Sequence, residues 1–243
     1  MKKIRIDLLM VEKGLSESRN KAQRQVMAGE VRVNGSPVYK PSEKFIPDAE
    51  IVLIRKPRFV SRGGIKLVHA INHFRINCKD KICVDIGAST GGFTDCLLQH
   101  GARKVYAIDV GYGQLHQKLR DDPRVINMER TNIKDVRNME EPVDIITADA
   151  SFISLEKILP VVKNWRYSGT VDMITLIKPQ FEVGRMVAAR GKGVINDEKQ
   201  RQKAVEKIIR FAEQLELIFE GVIQSPITGP KGNVEFLAYF SLK

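Results

Sequence analysis

The sequence predicts a small α+β domain followed by a larger α/β domain built on a seven-stranded, mostly parallel sheet. Three observations support this prediction: the length of 243 residues, a change of residue pattern near residue 60, and the alternation of strands with helices after it. A chain of this length can form one small and one medium hydrophobic core. We therefore assign residues 1–56 to the first domain, 57–62 to a linker and 63–243 to the second domain.

The first domain is predicted to contain two short helices, a β-hairpin and a further short strand that begins at Glu50. Residues 3–28 carry apolar side chains at helical spacing, with a glycine between the two helical stretches. Val31 and Val33 then alternate with polar residues before the pair Asn34-Gly35, which is a strong signal for a hairpin turn. The charged stretch Lys56–Arg58 ends the domain, because its proline interrupts regular structure.

The second domain alternates predicted strands with predicted helices. The strands are expected at Lys81–Ile86, Lys104–Asp109, Arg124–Met128, Val143–Asp149, Val171–Lys178, Gly221–Ile227 and Val234–Leu242. The main helices are expected at Phe93–Gln99, Leu155–Trp165 and Glu198–Leu217. Such alternation is typical of a parallel sheet that is covered on both faces and binds ligands at the carboxyl ends of its strands. Because only the short turn Thr228–Gly232 joins the last two strands, the last strand is expected to be antiparallel.

The charge of the chain favours a polyanionic partner. The sequence has 40 Lys and Arg against 29 Asp and Glu, which gives a net charge of +11. Residues 1–60 contain 13 of the basic and 7 of the acidic residues, so a quarter of the chain carries more than half of the excess. Nucleic acid or an anionic membrane surface would be attracted by such a field.

The remaining composition excludes several classes of protein. The three cysteines, Cys78, Cys83 and Cys96, follow neither a zinc-ligand spacing nor a disulfide pattern. The N-terminal residues lack the apolar core of a signal peptide, and no apolar run approaches the roughly 20 residues of a membrane span. We therefore expect a cytoplasmic protein with no metal site and no membrane partner.

A glycine-containing turn follows the first strand of the second domain. Gly87, Gly91 and Gly92 lie between this strand and the next helix, where bare backbone can approach a ligand. Their spacing differs from the G-x-G-x-x-G of dinucleotide-binding proteins. Asp85 would repel a pyrophosphate but accept a hydrogen bond from an ammonium group, which suits the methionine part of S-adenosylmethionine. The alternative is a general nucleotide-binding turn in which Asp85 only caps the helix.

The next strand ends with a second candidate for cofactor binding. Asp109 follows Gly87 by 22 residues, and a carboxylate at such a strand end can accept hydrogen bonds from ribose hydroxyls. We therefore predict an S-adenosylmethionine site. The residues expected to bind the cofactor are Asp85, Gly87, Ala88, Ser89, Gly91, Gly92, Phe93, Asp109, Asn132 and Asp149.

Several motifs together resemble a known family. In the second domain they are Ser61–Leu67, Asp85–Phe93, Ala148–Phe152 and Leu176–Glu182, and in the first domain they are Arg5–Asp7, Ser18–Arg19, Lys21–Ala22 and Gly29–Gly35. The second set matches the S4 pattern, and the first resembles the FtsJ-like methyltransferase domain of the TlyA, or haemolysin A, family. The resemblance covers essentially the whole chain. It implies a Rossmann-like, S-adenosylmethionine-dependent methyltransferase fold preceded by an S4 RNA-binding domain.

The resemblance also implies a catalytic tetrad of Lys66, Asp149, Lys178 and Glu235. A ribose hydroxyl is a poor nucleophile, so its attack on a methyl group needs alignment and a group that takes or polarises its proton. For Lys178, burial and a second cation favour the neutral amine, whereas the two carboxylates favour the ammonium. The sequence leaves open whether this lysine acts as a base or by electrostatic steering. Taken singly, each of the four could instead be a surface or capping residue.

The basic residues of the S4-like domain are candidates for RNA binding. The expected RNA-binding residues are Arg5, Arg19, Lys21, Arg24 and, beyond the domain, Arg62. The alternative is a solvated charged surface with no ligand. Aromatic side chains are scarce here, which favours recognition of the shape and backbone of folded RNA over stacking on single-stranded bases.

These expectations lead to one main function and two alternatives. The resemblance implies a 2′-O-methyltransferase that acts on ribosomal RNA, with cytidine as the expected target, and with ribosomal RNA or ribosomal subunits rather than DNA as partner. Phe152, Pro179, Gln180 and Phe181 could border the cofactor or the incoming nucleotide, or could fill the core. The alternatives are a membrane-lysing protein, suggested by the haemolysin name, and an RNA-binding assembly factor without catalysis. The oligomeric state does not follow from the sequence.

Overall fold

The chain forms two compact units, Met1–Arg58 and Phe59–Lys243. The computed structural model describes residues 3–27, 29–53, 58–167, 169–184, 191, 193–229 and 231–242. Three sequence-based predictions fall partly outside these residues: the linker at positions 56 and 57, the end of the strand expected after position 50, and position 230 of the last turn.

Among its described residues, the first unit contains two helices and five short strands. They are β1 (Ile4–Arg5), α1 (Ile6–Glu12), α2 (Arg19–Met27), β2 (Val31–Val33), β3 (Ser36–Val38), β4 (Lys44–Phe45) and β5 (Ile51–Leu53). Strands β3, β2 and β5 form one antiparallel sheet, and β1 pairs with β4. The predicted helices and hairpin are confirmed, whereas the two-residue β1–β4 pair is too short to leave a periodic signal.

Alternating burial explains how the hairpin packs. Val31 and Val33 are buried while Arg32 between them is exposed, as expected for a strand with one face on the core. The left-handed turn falls on Asn34 and Gly35, with φ of 50° and 79°. The buried valines pack in one cluster with residues of both helices, among them Ile6 and Val26.

The second unit contains a seven-stranded sheet. Its strands are β6 (Ile82–Ile86), β7 (Lys104–Ile108), β8 (Val125–Met128), β9 (Ile145–Ala148), β10 (Val171–Ile177), β11 (Ile218–Gln224) and β12 (Phe236–Leu242). Their order is β11-β12-β10-β9-β6-β7-β8. The pairs from β10 to β8 are parallel, and β12 is antiparallel to both of its neighbours. The predicted mostly parallel sheet with an antiparallel last strand is confirmed.

Helices cover the sheet on both faces. They are α3 (Gly63–Phe74), α4 (Gly92–Gln99), α5 (Gln117–Arg120), α6 (Leu159–Lys163), α7 (Pro179–Glu182) and α8 (Glu198–Gln214), with 3₁₀ turns at Ile133–Asp135 and Leu155–Lys157. One apolar cluster joins the sheet to α3 and α4, and another joins it to α6 and α8. Helix α3, which carries Lys66, was not predicted, and the helix expected at Leu155–Trp165 is divided into a 3₁₀ turn and α6.

The strand register fixes which residues meet at the carboxyl edge of the sheet. Ala148 pairs with Ile86 on one side and with Thr175 on the other, so the residue after β9 lies between the ends of β6 and β10. Ile177 of β10 pairs with Phe236 of the antiparallel β12. The residue after β10 and the residue before β12 are therefore neighbours, although 57 positions separate them in the sequence.

Candidate active site

Four charged side chains meet at this edge of the sheet. Lys66 Nζ lies 2.6 Å from Glu235 Oε2 and 3.9 Å from Asp149 Oδ2. Asp149 Oδ1 lies 2.5 Å from Lys178 Nζ. The structure thus brings together all four residues of the predicted tetrad in a line of alternating charge.

The tetrad is shielded from water to different degrees. The side chain of Glu235 is 1% exposed, those of Lys66 and Lys178 are 9% and 8% exposed, and that of Asp149 is 20% exposed. Two ammonium groups balance two carboxylates, so the cluster has no formal net charge. Burial without this balance would be strongly unfavourable, because each ion loses its hydration.

The position of Glu235 depends on close backbone packing. A Cβ atom at Gly229 would lie 2.5 Å from Glu235 Oε1, so only glycine leaves room for the carboxylate. The backbone carbonyl of Glu235 accepts a hydrogen bond from the N–H of Ser225 at 2.8 Å. The turn before β12 therefore holds the carboxylate towards Lys66.

Three oxygens of the described residues surround the ammonium group of Lys178. Nζ donates to Ser151 Oγ at 2.8 Å and to the backbone oxygen of Asp149 at 3.3 Å, and it forms an ion pair with Asp149 Oδ1. Its Nζ also lies 5.9 Å from the centre of the Phe181 ring. Sequence reasoning did not identify Ser151, because a serine two positions after a strand carries no signal of its own.

Two cavities meet at the tetrad. The first, of about 420 Å³, is lined by residues that include Ser89, Asp109, Asn132 and Phe152. The second, of about 490 Å³, is lined by residues that include Arg62, Lys66, Lys178 and Glu235. Both cavities are bordered by Gly87, Ser89, Asp149 and Ser151. A ligand in one cavity can therefore reach a ligand in the other beside Asp149.

The first cavity suits an adenosine-type cofactor. Gly87 has a φ of 81°, and a Cβ atom there would lie within 3.0 Å of the backbone of Ala150, so the turn is narrow enough to present bare backbone to the cavity. The carboxylate of Asp109 accepts hydrogen bonds from the backbone N–H groups of Ser89 and Gly111, each at 2.7 Å. Asp109 also borders the cavity. Isoleucine and valine side chains supply most of the remaining wall, which suits the flat face of an adenine ring.

The structure shows the surroundings of Asp85, for which the sequence left two interpretations. Its carboxylate is fully buried and accepts hydrogen bonds from Thr94 N at 2.9 Å, Thr94 Oγ1 at 2.7 Å and Thr147 Oγ1 at 3.2 Å. Burial raises the pKa of Asp85 to about 7, although the threonine contacts oppose this shift. Asp85 does not border either cavity and instead caps the first turn of α4, as the alternative interpretation of the turn proposed.

The other residues predicted to bind the cofactor differ in which of the two cavities they border. Ser89, Gly87 and Asp149 border both cavities, whereas Ala88, Gly92 and Phe93 border only the second. Gly91 borders neither: a Cβ atom there would lie 2.2 Å from Leu119 Cδ1, so packing explains this glycine. The structure does not support direct contact of Gly91 with a cofactor.

The predicted RNA-binding arginines of the first unit are held by a buried acid. Asp7 is fully buried and accepts both Nε and Nη2 of Arg5 at 2.9 Å, Arg19 Nε at 3.1 Å and Gln23 Nε2 at 2.8 Å. These donors hold the pKa of Asp7 well below its usual range. The arginine side chains remain 33% and 51% exposed, so they are oriented by Asp7 and still face solvent.

The remaining two basic candidates of the first unit lie on α2. Lys21 forms an exposed ion pair with Glu17 at 2.7 Å, and Arg24 is exposed. Arg62, by contrast, belongs to the second unit and borders the second cavity.

Phe152, Pro179, Gln180 and Phe181, which the sequence suggested as a border of the site, differ in whether they line a cavity. Phe152 is 92% exposed, has a left-handed φ of 64° and borders the first cavity. Its ring centre lies 5.3 Å from that of Phe181. Pro179 is buried and Gln180 is partly buried, and neither borders the two cavities. Phe152 is therefore a surface aromatic beside the cofactor cavity.

The order of the strands, the glycine turn after β6 and the two cavities at the carboxyl edge of the sheet together define a Rossmann-like methyltransferase domain. Residues 59–242 match the family model described as FtsJ-like methyltransferase, and residues 4–51 match the model of the S4 domain. The chain therefore belongs to the FtsJ-like methyltransferase family and carries an S4 domain in front. This assignment confirms the predicted family, the enzyme class and, with it, the predicted S-adenosylmethionine cofactor.

Relatives of the chain match it along nearly its whole length. It is 46% identical to a Bacillus subtilis protein described as an rRNA methyltransferase, YqxC, over 98% of this chain and 85% of that protein. It is 41% identical to the 16S/23S rRNA (cytidine-2′-O)-methyltransferase TlyA of Mycobacterium tuberculosis, over 98% and 90%. A solved structure described as a hemolysin from Streptococcus thermophilus is 42% identical, with a TM-score of 0.75 over 99% of this chain and 89% of that one.

Within the residues that the structure describes, no helix has the length and apolar content that a membrane span needs.

Proposed function

We propose that this protein transfers the methyl group of S-adenosylmethionine to the ribose 2′-hydroxyl of a cytidine in ribosomal RNA, in the cytoplasm. RNA is the substrate class that the S4 domain and the methyltransferase family indicate together. The observation that carries the proposal is the line of Lys66, Asp149, Lys178 and Glu235 where two cavities meet. The M. tuberculosis relative named for this activity supports the choice of nucleotide and RNA.

The first cavity is the proposed place of the cofactor. Gly87, Ser89, Asp109, Asn132 and Asp149 would hold it, with Asp109 available to the ribose hydroxyls and the glycine turn available to the methionine part. When bound, S-adenosylmethionine supplies a methyl group that is already activated by a sulfonium. The second cavity, lined by the two lysines and Arg62, would then receive the ribose and its phosphate.

The tetrad would prepare the ribose hydroxyl for attack. Asp149 Oδ1 lies 2.5 Å from Lys178 Nζ and pairs with it by opposite charge, so we assign Lys178 to electrostatic steering of the hydroxyl oxygen. Lys66 and Glu235 form the second pair and hold Asp149 from the other side. This arrangement fixes the direction of the charges before substrate binds, which lowers the cost of aligning the two reactants.

Phe152 would contact the base of the target nucleotide. Phe152 is 92% exposed and borders the first cavity, and the centre of its ring lies 5.3 Å from that of the Phe181 ring. An aromatic ring on which a base stacks contributes about 1–3 kcal/mol per base in other proteins. A nucleotide that leaves its helix to reach the second cavity would gain this contact.

The experiment is methyl transfer from labelled S-adenosylmethionine to ribosomal RNA, followed by nuclease digestion and mass spectrometry. The expected product is 2′-O-methylcytidine. Lys178→Ala is expected to lower kcat by at least about 100-fold, because the group that directs the hydroxyl is lost. Lys163→Ala is the matched control, since Lys163 pairs with Glu216 and borders neither cavity.

Two results would contradict the proposal. One is a methyl group on a base rather than on the ribose, and the other is the absence of transfer to any ribosomal RNA. Lysis of erythrocytes by the same preparation, unchanged by Lys178→Ala, would instead support the membrane-lysing alternative.

A further inference from the structure

The environment of Lys178 raises a question that the tetrad does not answer. A protonated lysine has three N–H donors and no acceptor. Nζ donates to Ser151 Oγ at 2.8 Å and to the backbone oxygen of Asp149 at 3.3 Å, and it forms an ion pair with Asp149 Oδ1 at 2.5 Å. The side chain is 8% exposed and borders the second cavity.

The three oxygens around Lys178 Nζ differ in how strongly the rest of the protein fixes their positions. The backbone of Asp149 follows β9 directly, and its N–H donates to Ile86 O at 2.9 Å, so its carbonyl is fixed by the sheet. Its carboxylate is bound by opposite charge to both lysines. Ser151 is neutral, is the third residue after the strand and is exposed to solvent. Its oxygen is therefore the one that a substrate can displace from Lys178.

Ser151 also occupies the place where the two cavities join. A serine hydroxyl and a ribose hydroxyl are the same chemical group: each accepts one hydrogen bond from an ammonium and keeps its own hydrogen to donate. A ribose hydroxyl that contacts Lys178 can therefore take over the N–H that Ser151 Oγ accepts in the free protein.

We propose that Ser151 is a positioning residue, whose hydroxyl holds one N–H of Lys178 towards the junction of the cavities until the substrate hydroxyl replaces it. This inference rests on the proposed function. Without the serine oxygen, the ammonium would turn towards the carboxylate of Asp149, and the direction in which it meets the substrate would be lost. Ser151 would thus act on the rate through Lys178 rather than by contact with the cofactor.

The test compares Ser151→Ala, which deletes the oxygen, with Ser151→Thr, which keeps it. Ser241→Ala is the matched control, because Ser241 lies at the opposite end of β12 and binds Glu220. We expect Ser151→Ala to lower kcat by about three- to tenfold, the size of one hydrogen bond to a charged group. The KM for RNA and the Kd for S-adenosylmethionine should stay within about twofold, and Ser151→Thr should restore kcat.

A second readout does not depend on methyl transfer. The rate at which acetic anhydride acetylates Lys178, followed by mass spectrometry, reports how freely its Nζ can attack the reagent. Ser151 Oγ accepts a hydrogen bond from Nζ at 2.8 Å, so its deletion removes a restraint, and Lys178 of Ser151→Ala should react faster than in the parent protein. The charged groups that also face Lys178 are Asp149 and, through it, Lys66 and Glu235, and they are unchanged in the variant.

Lys66 serves as the internal control for access of the reagent, since it borders the same cavity. Equal acceleration of Lys66 and Lys178 would mean that the variant only opens the cavity, and this would overturn the proposal. So would wild-type kcat in Ser151→Ala, or a kcat in Ser151→Thr as low as in Ser151→Ala. If the parent protein transfers no methyl group, the proposed function fails, while the acetylation rates still decide the role of Ser151.

Discussion

Glu235 is the most deeply buried charge of the tetrad, and Lys66 neutralises it at 2.6 Å. Removing one partner of a buried ion pair leaves the other charge without compensation, which costs far more than the pair contributes. Lys66 therefore has a structural role as well as the proposed catalytic one, and the two can be separated by substitution.

Lys66→Met is expected to lower the free energy of unfolding by about 3–5 kcal/mol, because Glu235 stays buried and loses its cation. The combined variant Lys66→Met with Glu235→Gln should recover at least half of this loss, since no unpaired charge remains. Urea denaturation at pH 7 measures both values. A single variant as stable as the parent protein, or a double variant as unstable as the single one, would disprove this account.

Asp85 makes the free energy of unfolding depend on pH, and the direction of this dependence follows from its pKa. Its pKa is raised from 3.8 to about 7 by burial, so between these values the folded state binds a proton that the unfolded state has released. The contribution of Asp85 to stability is therefore largest at low pH, declines as the pH rises towards 7 and is constant above it.

Asp85→Asn is expected to remove this decline and to raise the free energy of unfolding at pH 8 by about 1–3 kcal/mol, because the amide needs no proton to remain neutral. The measurement is urea denaturation of both proteins at several pH values from 5 to 8. Parallel pH profiles for the two proteins would show that another group carries the dependence.

The turn before β12 determines where the carboxylate of Glu235 lies. Gly229 has no left-handed φ, but a Cβ atom there would lie 2.5 Å from Glu235 Oε1. The constraint is therefore one of space, and an alanine would push the carboxylate away from Lys66.

Gly229→Ala is expected to lower kcat by about 10- to 100-fold, since a displacement of about 1 Å is enough to disturb an aligned site. Gly169→Ala is the matched control, because a Cβ atom at Gly169 meets nothing within 4 Å. Steady-state methyl transfer measures both variants. Equal rates for the two would show that the turn adapts and does not position Glu235.

The carboxyl ends of the strands could be predicted from the sequence, and with them the convergence of Asp149, Lys178 and Glu235. Each of these residues directly precedes or follows an apolar run that could only be a strand of the sheet. The topology then brings them together, because parallel strands end at one edge and the antiparallel β12 begins there.

Contacts between distant loops could not be predicted in this way. Glu182 is buried and accepts from Ser154 Oγ at 2.5 Å and from Leu155 N at 2.9 Å, across 28 and 27 residues. It connects α7 to the loop that presents Phe152, yet its sequence position indicates only an ordinary helix end. The direction of the Asp85 side chain could not be predicted for a related reason: β6 is buried on both faces, so alternation does not reveal which way this side chain points.

At the scale of the whole molecule, the basic charge is divided between the two units. The four basic candidates of the S4 unit are all at least partly exposed, and Asp7 orients two of them. Contacts between such side chains and phosphates release counterions, so the affinity falls linearly with the logarithm of salt concentration.

A variant with Lys21→Ala and Arg24→Ala is expected to reduce the salt slope of ribosomal RNA binding by about 1.4–1.8, corresponding to two phosphate contacts. The Kd for S-adenosylmethionine should not change, since both residues lie in the first unit and the cofactor cavity in the second. Filter binding at several salt concentrations gives the slope, with Lys163→Ala as the control. An unchanged slope would remove both residues from the RNA-binding surface.

The antiparallel β12 has a consequence for how activity arises during folding. It is the last strand of the sheet in chain order, and it brings the only carboxylate that contacts Lys66 closely among the described residues. Before β12 pairs with β10 and β11, the proposed tetrad lacks Glu235 and Lys66 lacks its nearest carboxylate. We therefore expect methyl transfer to appear during refolding only when this last strand has joined the sheet.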